Sequence, residues 1–192
     1  MKKKFKKKYP PEPLTRDEVR RLLDACGSDS SIALRNRALI ATLWRAGLRI
    51  SEALAVEPRD LEDGVLRVRR GKGSKCRVVA LDPEAVVVLQ AWLESKARLG
   101  IGGPIFSTLR GEPMLSSYVR NLLPRLARKA GIAKRCHAHG LRHSFAASLA
   151  DERVDVRVIQ RALGHSSLQV TQNYIDHLRP QAVIDALKAR TW

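Results

Sequence analysis

The chain has 192 residues, enough for one domain with its own core, and carries 36 Lys and Arg against 19 Asp and Glu, a net charge of +17. That balance points to a polyanionic partner, nucleic acid before a membrane surface, and an aromatic content of 5% suits duplex phosphates better than stacking on single-stranded bases. No apolar run reaches membrane-spanning length, no apolar stretch follows the basic start, and the three scattered cysteines, Cys26, Cys76 and Cys136, form no CxxC pair; secretion and a disulfide framework are disfavoured, and a reducing, cytoplasmic compartment is expected.

Residues 1–10 read as a flexible basic tail. Lys2, Lys3, Lys4, Lys6, Lys7 and Lys8 form a like-charge block of the kind that binds nucleic acid. The plain alternative is a solubility tail or an expression artefact. Pro10, Pro11 and Pro13 make a stiff connector, and residues 11–192 read as one domain.

Thr15, Arg16, Asp17 and Glu18 spell a capping box, with Thr15 as N-cap and Glu18 reaching back. Val19, Leu22 and Leu23 give that first helix its apolar stripe. A second helix is expected over 32–46, with Ala38, Leu39, Ile40, Leu43 and Trp44 inward and Gly47 as a left-handed cap. Arg49 then stands on a turn into a short helix from Ser51. A turn between two helices is a rigid mount for a reactive Arg; a structural pair with Glu52 is the alternative. Glu52 itself reads as orienting a neighbour rather than reacting.

Residues 65–69 and 77–81 alternate like two antiparallel strands. Between them Arg70, Lys72 and Lys75 sit in a glycine-rich tip suited to a DNA groove, although a solvated turn lysine is the usual fate of such a residue. Asp82 and Pro83 start a helix as N-cap and N1 proline, with Val86, Leu89, Trp92 and Leu93 inward. Gly100, Gly102, Gly103 and Pro104 break it. Ile105 and Phe106 read as a brief strand or a buried anchor. A helix over 115–130 should be kinked or divided at Pro124. Its Arg120, Arg125, Arg128 and Lys129 face phosphates or simply solvent.

The stretch from Cys136 to Asp176 organises the rest. His139 and Arg142 lie three apart at a helix start, so they share a face. Val156, Ile159 and Leu163 line a helix ending at Gly164. His165 follows, and Ser166 is expected to cap the helix carrying Tyr174. A zinc set from Cys136, His137, His139 and His143 lacks a second ligand pair at finger spacing. Taken singly, His165 fits a cap or core histidine, and Tyr174 a core tyrosine. Taken together, a phenol, two imidazoles and a guanidinium suit attack on a phosphodiester. The transition state spreads charge over non-bridging oxygens, which a planar guanidinium binds with two parallel hydrogen bonds. Imidazole donates to the same oxygens or moves a proton. A tyrosine, with pKa about 10, is useful where a covalent intermediate is wanted. Its ester conserves the energy of the broken strand.

The ordered pieces GLRISEAL, RGKGSK, HGLRHSFA, LGH and the tyrosine of VTQNYIDH resemble the catalytic domain of the tyrosine recombinases, also called the phage integrase family, in its Xer-like branch. They span nearly all of residues 12–178. The resemblance implies a mainly helical α+β domain with a small antiparallel sheet, and DNA strand exchange through a 3′-phosphotyrosine. It implies that Tyr174 attacks, that Arg49, Arg142 and His165 stabilise the transition state, that Lys72 protonates the leaving oxygen and that His139 assists proton transfer. It selects Lys72 over Lys75 for that role. No metal or other cofactor is expected, since the cations are side chains. The implied partner is double-stranded DNA carrying an inverted-repeat site, bound by a monomer that becomes a tetramer on synapsed DNA, in the cytoplasm at the nucleoid. Helix 180–187 closes the domain's own core or, by resemblance, docks on the next subunit. Family members usually carry an N-terminal core-binding domain, and here only the basic tail precedes residue 11. Two rivals remain open: a topoisomerase-like nicking and closing enzyme, and a DNA-binding regulator without catalysis.

Overall fold

The computed structural model describes residues 12–69, 76–178 and 188. The lysine tail, Arg70, Lys72 and Lys75, and the expected helix 180–187 lie outside the described residues. Eight α-helices, one 3-10 turn (Pro58–Asp60) and three strands are present among the described residues: α1 (Arg16–Asp24), α2 (Ser31–Arg45), α3 (Ile50–Leu54), β1 (Leu61–Glu62), β2 (Val65–Val68), β3 (Arg77–Ala80), α4 (Pro83–Arg98), α5 (Ser116–Lys129), α6 (Ala138–Asp151), α7 (Val156–Leu163) and α8 (Leu168–Leu178). The architecture is the expected mainly helical α+β.

Helix starts follow side-chain chemistry. Thr15 Oγ1 accepts from Glu18 N at 3.2 Å while Glu18 Oε2 accepts from Thr15 N at 2.7 Å, so both halves of the capping box form. Ser30 caps α2, and Asp82 caps α4 with Pro83 in its first turn. α2 is the central helix. Every residue from Ala38 to Trp44 is buried, because α4, α6 and α1 pack around it. It ends at Arg45, and Gly47 turns the chain with φ +58°. A Cβ at Gly47 would run into the Phe145 ring, so both the backbone sign and the close approach of α6 require glycine.

The sheet runs β1-β2-β3, antiparallel throughout. β1 is an addition to the two expected strands. Asp63 and Gly64, both with positive φ, form the two-residue turn that folds it onto β2. Ile105 and Phe106 are buried anchors outside any strand, with Ile105 O accepting from Trp92 Nε1 at 2.8 Å. Pro124 does not divide α5, which is continuous over 14 residues. Val119, Leu122, Leu123, Leu126 and Ala127 bury one face on both sides of the proline, and that packing offsets the lost backbone bond. In α4, Leu89 and Trp92 are fully buried, whereas Val86 and Leu93 are only partly so.

The apolar interior is in two parts. The larger cluster joins α1 to α6 and the sheet. The smaller one consists of Phe145, Ala146, Ile159 and Leu163, with Leu149, Ala162 and Ile175 against it, and among the described residues α7 and Ile175 of α8 pack on it. Among the described residues no helix is long and apolar enough to cross a membrane.

Candidate active site

Arg49 sits at the N-cap position of α3, immediately after the Gly47 turn. Glu52 Oε2 accepts from its backbone N at 2.8 Å and Oε1 from Nη1 at 2.7 Å. The expected mount is there, and so is the pair with Glu52 that was its alternative. Glu52 is buried and serves a second cation: Arg77 Nη1 and Nη2 donate to its two oxygens at 2.9 and 2.8 Å. Burial works against a carboxylate, but hydrogen bonds from Arg77 and the Arg49 backbone overcome it and hold the Glu52 carboxyl at about 2. Glu52 is thus an ionised holder of arginines, unsuited to acid–base work near neutral pH.

Arg142, on the first turns of α6, is 1% exposed. Its Nη1 donates to Gly47 O at 2.6 Å, and its Nη2 donates to Leu163 O at the end of α7. One guanidinium therefore ties the turn before Arg49 to the turn before His165. His139 lies one turn earlier on α6, as expected from the spacing, but with an open edge to solvent. Its ring meets His143 edge-on at 4.4 Å between centroids. Partial burial, then the charges of Arg142, His137 and Arg49, lower its pKa. His137 Nδ1 accepts from Gly140 N at 3.0 Å, so this ring is the N-cap of α6. Burial pushes the neighbouring Cys136 thiol up to about 12, which removes it as a nucleophile.

α7 ends where expected, at Gly164, which caps it in the left-handed conformation with φ +63°. His165 follows, its N donating to Gln160 O at 3.1 Å and its Nδ1 3.0 Å from Thr171 Oγ1. Burial first, then the charges of Arg142, Arg49, Arg77 and His139, hold its pKa down at about 4. Three arginines and His139 thus act electrostatically on one imidazole, which is neutral near pH 7. α8 begins at Leu168, so Ser167 rather than Ser166 stands before its first residue. Tyr174 lies on α8, one turn beyond the buried Thr171 and next to Ile175, which packs on the smaller apolar cluster. Lys72 lies outside the described residues, but β2 and β3, which flank its loop, are paired from Val65–Ala80 to Val68–Arg77.

Two site residues were not anticipated from sequence. Arg77 carried a readable signal: it shares the inward register of β3 with buried Val79, while Val78 and Ala80 face out. An inward-facing Arg needs a buried anion, and Glu52 is that anion. Thr171 carried none beyond its helical spacing from Tyr174.

The description "Phage integrase family" belongs to the family whose model matches residues 12–180. Tyrosine recombinase XerD of Bifidobacterium longum is 36% identical over 189 residues, covering 91% of this chain and 61% of that protein. XerD of Pseudomonas putida is 40% identical over 170 residues, covering 85% and 57%. Among solved structures, XerA recombinase superposes with a TM-score of 0.79 at 31% identity over 95% of this chain and 66% of that one. XerH bound to palindromic difH substrate in a post-cleavage complex gives 0.76 at 30% over 93% and 53%. The chain spans about three-fifths of the length of the curated relatives it matches. A family match that runs from the capping box of α1 through both arginine mounts to the end of α8 makes this chain a member of the phage integrase family.

Proposed function

We propose that this chain is the catalytic domain of a tyrosine-type, site-specific DNA recombinase that cuts and rejoins duplex strands through a 3′-phosphotyrosine. The Tyr174 oxygen attacks the phosphorus as its phenolic proton passes to His139, and the 5′-oxygen leaves, taking a proton from Lys72. The reverse attack by a 5′-hydroxyl of another strand reseals the DNA and frees the tyrosine. Arg49, Arg142 and neutral His165 hold the non-bridging oxygens. His139 moves protons, and Glu52 orients Arg49. The cations are side chains, so the step is written without metal or ATP. The observation that carries this reading is the hydrogen-bonded tie between three separate parts of the chain: Arg142 bonds Gly47 O before Arg49 and Leu163 O before His165, while Glu52 holds Arg49 and Arg77, which bonds Ala162 O.

The proposed substrate is double-stranded DNA with an inverted-repeat site. Lys2, Lys3, Lys4, Lys6, Lys7, Lys8, Arg70 and Lys75 add contacts to its phosphates. A net charge of +17 supports such a partner, as do the recombinase names of the relatives. We further propose a monomer in solution, a tetramer on synapsed sites and a place on the nucleoid in the cytoplasm. The test is a nicked suicide duplex carrying candidate inverted repeats. The wild-type chain is expected to form a covalent adduct that survives denaturing electrophoresis. Tyr174→Phe is expected to bind the same duplex and form none. Adducts persisting in Tyr174→Phe would overturn the assignment of the nucleophile.

A further inference from the structure

We propose that Arg77 is a positioning residue that sets the geometry of Arg49 and His165 together, so that the two halves of the site move as one. Its side chain is 10% exposed and makes three hydrogen bonds. Two form a fork on the Glu52 carboxylate, at 2.9 and 2.8 Å. The third runs from Nε to Ala162 O at 2.9 Å, in the last turn of α7.

The Glu52 end leads to Arg49. Both oxygens that receive the Arg77 fork also receive Arg49, one through its backbone N and one through Nη1. A fork fixes the plane of a carboxylate, and that plane fixes where Arg49 can lie. It also divides the carboxylate's charge between two cations. Among the described residues only Nη1 of the Arg49 guanidinium is hydrogen-bonded, which leaves its other N–H groups for an anion. With Arg77 gone, Glu52 would hold Arg49 alone and draw the whole guanidinium inward.

The Ala162 end leads to His165. Gly164 stands between them, and a Cβ there would come within 3.1 Å of Arg77 Cδ and Nη1. The left-handed glycine therefore does two things: it turns the chain toward His165 and admits the Arg77 stem against that turn. Arg77 is also the first residue of β3, the strand that leaves the loop carrying Lys72. One guanidinium thus joins three segments that deliver proposed catalytic groups. Lysine cannot copy this, because a point charge makes neither the fork nor the simultaneous Nε bond.

This inference rests on the recombinase reading above, so the experiment has one arm that uses DNA and one that does not. In the first arm, Arg77→Lys, Arg77→Ala, Arg49→Ala and the double variant Arg77→Ala/Arg49→Ala are compared in single-turnover cleavage of the suicide duplex. Losing a group that orients a catalytic residue typically costs ~10–100-fold. Both Arg77 variants are expected to lose that much rate with duplex affinity held within about threefold, and the double variant to lose less than the product of the two single losses, because the part of the Arg77 effect that runs through Arg49 is already gone. Losses that multiply in the double variant would overturn the inference. In the second arm, the His165 ring is titrated by NMR without DNA. Arg77→Lys keeps the charge, so a changed His165 titration reports a moved ring; an unchanged ring with wild-type shifts overturns the inference even if no duplex is ever cleaved. Arg77→Lys also carries the test if Arg77→Ala does not fold. A wild-type chain that never cleaves, beside a His165 titration that does shift, would instead count against the recombinase reading alone.

Discussion

His165 presents its Nδ1 to the hydroxyl of Thr171 at 3.0 Å, and Thr171 is fully buried. A neutral imidazole has one donor and one acceptor nitrogen. In the tautomer in which the threonine hydroxyl donates to Nδ1, the ring proton is on Nε2, and Thr171 thereby sets which nitrogen donates. Thr171→Val keeps the shape and removes the hydroxyl. Strand cleavage is expected to fall about tenfold while duplex binding is unchanged, and Thr171→Ser is expected to recover most of the rate. Single-turnover cleavage of the three proteins checks this.

The site also makes the fold sensitive to pH in two separate windows. The His165 pKa is about 4 in the folded chain against an ordinary value of 6.5. Between those values the unfolded chain binds a proton that the folded chain refuses, so stability falls as pH drops from 6.5 toward 4. Glu52 acts lower, with its carboxyl at about 2 against 4.5. Its contribution is present above 4.5 and is lost as pH falls toward 2. Urea unfolding across this range is expected to show His165→Gln flattening the upper window. His137 and His139, both lowered in the same direction, keep part of that slope. Glu52→Gln is expected to flatten the lower one.

Gly47 and Gly27 both have positive φ, at 58° and 78°, but only Gly47 faces the Phe145 ring; a Cβ on Gly27 meets nothing within 4 Å. Gly27→Ala is expected to cost about 1–2 kcal/mol, the strain of a left-handed alanine. Gly47→Ala adds an overpacked contact and is expected to cost about 2–5 kcal/mol in all. It also disturbs the carbonyl that receives Arg142. Chemical denaturation gives the stabilities, and a loss of cleavage in the folded fraction of Gly47→Ala reports the displaced arginine.

A leaving alkoxide needs a proton, whereas a leaving thiolate does not. Lys72→Ala is therefore expected to cleave ordinary DNA ~10²–10⁴-fold more slowly and to recover on DNA with sulfur at the 5′-bridging position. Arg49→Ala should stay slow on both. If sulfur does not rescue Lys72→Ala, Lys75 becomes the candidate acid.

Sequence was informative where chemistry is local. The Thr15–Glu18 box, the Asp82-Pro83 start and the Gly47 and Gly164 stops each depend on residues within a turn of one another, and all form. The site pieces were read as a set because their types and order match one chemistry, and the structure ties the turns before Arg49 and His165 together through Arg142. Relations between distant residues were not legible. Nothing near Leu163 in sequence announces Arg142, and nothing near Ala162 announces Arg77. Pro124 does not divide α5, because a missing N–H is a local cost and the apolar face of α5 is a collective gain that exceeds it. β1 was under-read, although Asp63-Gly64 is a strong two-residue hairpin signal.

The division of the interior has a consequence for how the molecule breathes. α2 and α4 lie deep in the larger cluster, whereas among the described residues α7 and Ile175 of α8 pack on the smaller one of Phe145, Ala146, Ile159 and Leu163. Segments held by few apolar contacts open at lower free energy than the rest. Backbone amides of α2 should thus exchange with deuterium only on global unfolding, and those of α7 and α8 through a smaller opening of their own. The helix that bears Tyr174 is thus expected to open while the core beneath it stays closed, which hydrogen exchange would show as a lower opening free energy for α8 than for α2.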